Sequence, residues 1–192
     1  MILSDRDIRK SLDTGRIRVT PPPDLATDLR PCSLDFHLGN TFRIFDYNKL
    51  PLIDPRAEMI IENVTRVVEI PDDGRFIIHP GELIIAATRE CLTIGTDLIG
   101  RLEGRSSLAR VGIIVHSTAA RFDPGWDGNP MLELGNQGRI PVALYPGMRI
   151  CSFTFEQLSS PVEYSYQQKG RFTNQTGQTS TKFLPEDFQS SQ

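Results

Sequence analysis

A chain of 192 residues with 39% hydrophobic and 23% charged side chains can bury a substantial core, which excludes a wholly disordered protein. A net charge of −3 excludes the basic surface of a general nucleic-acid binder and leaves room only for a local arginine pocket. No apolar run reaches membrane-spanning length, Met1–Asp7 lacks the basic start and apolar stretch of a secretory signal, and the three cysteines, Cys32, Cys91 and Cys151, are far apart. The expectation is a cytoplasmic protein with reduced, buried thiols and no membrane partner.

Residues 4–14 read as a short helix. Ser4 is an N-cap with Asp7 three positions on, Leu3 and Ile8 can form a hydrophobic staple, and Gly15 supplies a stop. Ile8 and Leu12 then share one buried face. Pro21-Pro22-Pro23 breaks the chain into an extended connector, and Ser33 to Phe45 predicts a strand pair turning around Gly39-Asn40. The role of Asp35 stays open.

Short apolar runs follow, Val64 to Ile70, Arg75 to Ile78 and Leu83 to Ala87, punctuated by Pro55, Pro71-Asp72-Asp73-Gly74 and Pro80-Gly81. Short β-rich runs between turn signals suggest an all-β barrel or sandwich. No repeat, linker or low-complexity stretch divides the chain. His79-Pro80-Gly81-Glu82 invites a metal reading, but it offers only an isolated pair of ligand types and reads as a hairpin turn.

Gly104-Arg105-Ser106-Ser107-Leu108-Ala109-Arg110 combines a glycine, two hydroxyls able to cap a short helix, and two arginines five residues apart. Backbone N–H groups and forked guanidinium donors at such a turn suit an anion such as phosphate. The P-loop spacing and its lysine are absent. The alternative is a helix start with solvated arginines.

Asp123-Pro124-Gly125-Trp126 is a turn that holds an aspartate and the only tryptophan on a rigid bend. In Met131-Leu132-Glu133-Leu134 an apolar strand carries one carboxyl. Alternation puts Glu133 opposite Leu132 and Leu134, so it is either solvated or lines a cavity where it can serve as an acid or base. Ile140 to Leu144 and Met148 to Phe155 are the last strands, joined by Tyr145-Pro146-Gly147. The Gln-, Thr- and Ser-rich stretch from Tyr164 to Lys182 cannot pack a core by itself.

Taken together these segments resemble the dCTP deaminase family of the trimeric dUTPase superfamily. The resemblance rests on Ser4-Asp5-Arg6-Asp7-Ile8, Ser33-Leu34-Asp35 with Leu38-Gly39, His79 to Glu82, Arg105 to Arg110, His116-Ser117-Thr118-Ala119, Asp123 to Trp126, Leu132-Glu133, and Asn174-Gln175 with Gly177. It covers nearly the whole chain, and it implies a single domain over residues 1–192 with a flexible C-terminal lid at about 160–192. The implied fold is mainly β: a distorted antiparallel β-barrel with a short N-terminal helix and few small helices, assembled as a homotrimer with sites between subunits.

The implied reaction is hydrolytic deamination of dCTP to dUTP and ammonia. Glu133 would be the proton shuttle, Ser106 and the backbone of Ala119 would hold the attacking water, and Arg110 would stabilise charge. Arg105, Ser106, Ser107, Leu108, Ala109 and Arg110 lie on the family's substrate segment. Asp123 would bond the sugar, and Met131, Leu132 and Glu133 would read the base edge. Tyr166, Arg171 and Gln175 would come from the lid, although the family usually has lysine where Arg171 stands. Magnesium is expected on the triphosphate, dTTP is a candidate feedback inhibitor, and zinc is not expected. Zinc deaminases use H-x-E followed by P-C-x-x-C, and this chain has neither pattern.

Two alternatives remain. One is the bifunctional branch of the family, which forms dUMP and pyrophosphate; Val115, Arg121 and Trp126 favour the deaminase-only branch, whereas Ala120 departs from both. The other is a non-catalytic, dNTP-binding regulatory trimer.

Overall fold

The computed structural model describes residues 1–48, 52–54 and 64–170; Arg171, Gln175 and most of the expected lid lie outside the described residues. The N-terminal helix forms as the sequence predicts. Helix α1 (Asp5–Asp13) is capped by Ser4, whose hydroxyl accepts from the Asp7 backbone N–H while the Asp7 carboxylate reaches back to the Ser4 N–H. Hydrogen bonds from Ser4 hold the Asp7 carboxyl below the usual aspartate range. Leu3 and Ile8 are both buried, Leu12 packs against the same core, and Gly15 takes φ +73° after the last turn.

Thirteen strands follow among the described residues. In chain order they are β1 (Ile17–Thr20), β2 (Leu34–Phe45), β3 (Thr65–Glu69), β4 (Phe76–Ile78), β5 (Leu83–Thr88), β6 (Cys91–Ile94) and β7 (Leu98–Gly104), then β8 (Ile113–Ile114), β9 (Arg121–Phe122), β10 (Asp127–Gly128), β11 (Met131–Asn136), β12 (Val142–Leu144) and β13 (Arg149–Gln157). Two four-residue helices, α2 (Ser106–Ala109) and α3 (Tyr166–Lys169), interrupt and close this series. The main sheet runs β8-β11-β5-β2-β13-β7-β9, with β3 also on β2; β1-β6-β10 and β12-β4 form smaller sheets. Every pairing between these strands is antiparallel, and the main sheet curls into a half-barrel.

Three local expectations change. The Gly39-Asn40 turn does not form: β2 is one continuous strand, with a register shift against β5 between Leu38 and Phe42. Gly39 serves a close approach instead, since a Cβ there would lie 2.9 Å from the Ala87 carbonyl oxygen. The turn at His79–Glu82 forms, with Gly81 at φ +81°, but closes no hairpin; the turn at Tyr145–Gly147, with Gly147 at φ +75°, joins β12 to β13 as expected. Each passes the chain between sheets, because β4 pairs with β12 while β5 and β13 join the main sheet. Finally, only Cys151 is buried; Cys91 is half-buried and Cys32 exposed, and all three are free thiols. Burial pushes the Cys151 thiol well above its ordinary value.

The core gathers buried side chains from the half-barrel, both smaller sheets and α1. Phe36 and Phe122 both pack on Phe153, with ring centroids 4.8 and 5.0 Å away, and Trp126 meets Phe122 edge-on at 4.7 Å. Such aromatic pairs contribute about 0.5–1.5 kcal/mol each beyond the area they bury. The chain start is sewn to its last strand. Leu3 N–H donates to Phe155 O at 2.8 Å, Ile2 bridges Glu156, and Gln157 N–H donates to Met1 O at 2.8 Å. Among the described residues no helix is long and apolar enough to cross a membrane.

Candidate active site

Strand β11 fixes the predicted acid. It lies between β5 and β8, with Glu133 opposite Ile85. Leu132 and Leu134 are fully buried and Glu133 is half-buried on the opposite face, as alternation requires. Its carboxylate is engaged: Oε2 accepts the backbone N–H of Ser117 at 2.9 Å. That bond joins Glu133 to the His116–Ala119 loop, which leaves β8 after the buried Val115. The neighbouring His116 Nδ1 is buried and has no hydrogen-bond partner among the described residues.

The arginine–serine segment follows β7 directly. Arg105, extended at φ −97° and ψ 130°, occupies the N-cap of α2 and makes no side-chain cap bond. Neither serine caps this helix, contrary to the sequence expectation, because Ser106 is already its first helical residue. Ser106, Ser107, Ala109 and Arg110 are exposed and Leu108 packs against the core. Among the described residues the side chains of Ser106, Ser107 and Arg110 make no hydrogen bond or ion pair, and none of them is bonded to Glu133.

Asp123 stands on the predicted turn, closed by Trp126 N–H to Asp123 O at 3.0 Å, with Gly125 at φ +81°. Trp126 anchors this bend in the core, and the half-exposed Asp123 carboxylate takes Arg121 Nε at 2.7 Å. Tyr166 comes to the same bend. Its N–H donates to Pro124 O at 2.8 Å, and a Cβ on Gly125 would lie 2.7 Å from Ser165 Cβ. The start of the tail is thereby docked beside Asp123. Met131 is half-buried at the head of β11.

One polar cluster escaped the sequence reading. Asp35 Oδ2 accepts Arg30 Nε at 2.8 Å and forms ion pairs with Arg30 Nη2 at 2.8 Å and Arg105 Nη1 at 2.7 Å, and Arg149 Nε stands 3.7 Å away. Asp28 Oδ1 takes Arg149 Nη2 at 2.7 Å, with His37 Nε2 at 3.6 Å; His37 Nδ1 lies 2.7 Å from Glu90 Oε1. All three carboxylates are buried. The sequence signalled Asp35 and Arg105 in separate motifs but not their pairing; Asp28, Glu90 and Arg149 come together with them only in the fold.

A cleft of about 580 Å³ lies elsewhere, where β2 parts from β5 at its register shift and the Pro146–Gly147 turn passes by. None of the predicted site residues lines it. No group of three or more His, Cys, Asp or Glu side chains suited to a metal ion gathers among the described residues.

The curled antiparallel half-barrel is the fold of a solved 2'-deoxycytidine 5'-triphosphate deaminase from Agrobacterium tumefaciens. The two superpose with a TM-score of 0.63 at 19% identity, over 81% of this chain and 48% of that one, so this chain spans about half the length of that protein. The model of the dCTP deaminase-like family matches residues 2–158. By that match and by its curated relatives, the chain belongs to the dCTP deaminase-like family. A dCTP deaminase of Thermomicrobium roseum is 57% identical over 88% of this chain and 86% of its own. Two proteins described as dCTP deaminase, dUMP-forming, are also similar. That of Corynebacterium jeikeium is 43% identical over 95% of this chain and 96% of its own, and that of Dictyoglomus thermophilum 44% over 95% and 94%.

Proposed function

We propose that the protein hydrolyses dCTP to dUTP and ammonia. The observation that carries this reading is the Glu133 carboxylate, half-buried on an inner strand and bonded to the loop that holds Ala119, in a chain of this family. Water attacks C4 of cytosine while Glu133 takes a proton from it and delivers one to N3. Glu133 next moves the second water proton to the amino group, the C4–N bond breaks, and ammonia leaves. Ser106 and the backbone of Ala119 hold the water, and Arg110 stabilises charge beside it.

Asp123 takes the sugar, Met131 and Leu132 flank the base edge, and Arg105, Ser106 and Ser107 take the phosphates, with Leu108 and Ala109 shaping that turn. The unbonded, exposed side chains of Ser106, Ser107 and Arg110 suit a site completed by a neighbouring subunit of a homotrimer. The tail, anchored at Tyr166 and continuing through Arg171 and Gln175, closes over the nucleotide as a lid. Magnesium arrives on the triphosphate. The setting is the cytoplasmic nucleotide pool, and dTTP is the candidate inhibitor.

A second reading has its own support: relatives such as those of C. jeikeium and D. thermophilum are named dUMP-forming. In that case deamination is followed by loss of pyrophosphate. Product analysis with dCTP and magnesium decides between them. Ammonia with dUTP is the expected result, ammonia with dUMP and pyrophosphate selects the second reading, and bound dCTP without ammonia makes the protein a nucleotide-binding regulator.

A further inference from the structure

We infer that Asp35 is the positioning residue for Arg105, fixing the guanidinium that meets the triphosphate, an inference that rests on the phosphate role given above to Arg105. Three adjacent strands converge here. Asp35 is on β2, Arg149 begins β13, and Arg105 follows β7, whose last residue, Gly104, pairs with Cys151 of β13. The Asp35 side chain is only 3% exposed and forms an ion pair with Arg105 Nη1 at 2.7 Å. Arg105 is 28% exposed, and among the described residues its Nε and Nη2 donors carry no other bond. One branch of the fork is therefore anchored inward, leaving the rest to an outer acceptor. Arginine can bridge two anions in this way because its donors diverge from one rigid plane, whereas a lysine presents a single point charge.

Arg30 donates to the same Oδ2, and Arg149 adds a third guanidinium nearby. Like charges at this spacing repel, and Asp35 is the group that holds Arg30 and Arg105 together. Without its charge Arg105 is free to swing away from the cluster.

Charge alone makes the opposite prediction, which gives the test its sign. A buried carboxylate near bound phosphate opposes it, so an Asp35 that only contributes field would weaken triphosphate binding, and removing it would tighten binding. An Asp35 that positions Arg105 strengthens binding, and removing it weakens binding.

The experiment is a double-mutant cycle on the full-length protein, titrating magnesium dCTP by calorimetry with ammonia release measured in parallel. Asp35→Asn is expected to raise the dCTP dissociation constant and KM about tenfold, with kcat within about threefold of wild type. In an Arg105→Met background the same change is expected to add little. Unchanged or tighter binding by Asp35→Asn, or an equal loss in both backgrounds, overturns the inference. Should Asp35→Asn fail to fold, Arg105→Lys carries the test: it is expected to lose a similar factor in affinity, and wild-type affinity would overturn the proposal. Because binding is the readout, a wild-type protein that binds dCTP without releasing ammonia sinks the catalytic reading separately, and the cycle still decides the role of Asp35. A wild-type protein that binds no dCTP removes both.

Discussion

Glu133 and Asp35 are both carboxylates on strands of the half-barrel, and their surroundings suit them to the different tasks proposed for them. Asp35 is buried and its Oδ2 pairs with Arg30 and Arg105, whereas Glu133 is half-buried and holds a single backbone N–H. Only the second arrangement leaves a carboxylate able to exchange protons with a substrate. Glu133→Gln keeps the size and the acceptor for Ser117 N–H but cannot carry a proton. Ammonia release from dCTP should fall by about 10²–10⁴-fold while dCTP binding persists, measured by coupled assay and calorimetry; near-normal turnover would remove Glu133 from the mechanism. The geometry of Glu133 was legible in the sequence, because Leu132 and Leu134 set the phase of the strand. The partners of Asp35 were not, because Arg105 and Arg149 reach it through strand order, which no local pattern records.

Among elements, the turns were easier to read than what they connect. Pro80-Gly81 and Pro146-Gly147 announce bends through proline and glycine chemistry, but whether the flanking strands pair with each other depends on distant partners. Gly39 misled for a related reason, since a glycine in a strand serves a close backbone approach as readily as a turn. A tertiary pair of the same kind joins the residue before β1 to the β6–β7 connection. Arg16 Nε and Nη2 meet Asp97 Oδ1 and Oδ2 at 3.0 and 2.6 Å, and the hydrogen bond to Arg16 holds the Asp97 carboxyl below the usual aspartate range.

A depressed carboxylate stabilises the fold above its unfolded-state pKa, about 3.9, and that contribution is lost as pH falls through the lower folded value. Arg16→Met should therefore reduce stability at pH 7 by at most about 1 kcal/mol, since both side chains are partly solvated. The gap to wild type should narrow below about pH 4. Urea unfolding across that range checks it, and a gap that persists unchanged in acid would mean that the pair is not its source.

At the scale of the whole molecule, fold class was legible because many short apolar runs between turn signals leave few alternatives to a curled antiparallel sheet. The site was legible mainly as a set of motifs in fixed order, and the single chain brings them together in two groups: Glu133 with the His116–Ala119 loop, and Asp123 with Tyr166. Among the described residues Ser106 and Arg110 bond to neither group, and the proposed trimer would supply their partners from a neighbouring subunit. In the proposed chemistry protein groups hold and deprotonate the attacking water, and magnesium is confined to the phosphates. A strong zinc chelator should therefore leave dCTP deamination intact when magnesium is in excess, and activity restored to a chelated protein by zinc alone would contradict that mechanism.

The stitching of Met1–Leu3 to Phe155–Gln157 bears on how the protein is made. Met1 finds its partner 156 positions later in the chain, on the strand that also lies between β2 and β7. Until β13 has been synthesised, three parts of the sheet wait with open edges, and contacts so distant in sequence slow folding. A nascent chain stalled before residue 149 would carry all four predicted catalytic residues, Ser106, Arg110, Ala119 and Glu133, and still lack the strand that joins the two halves of the sheet.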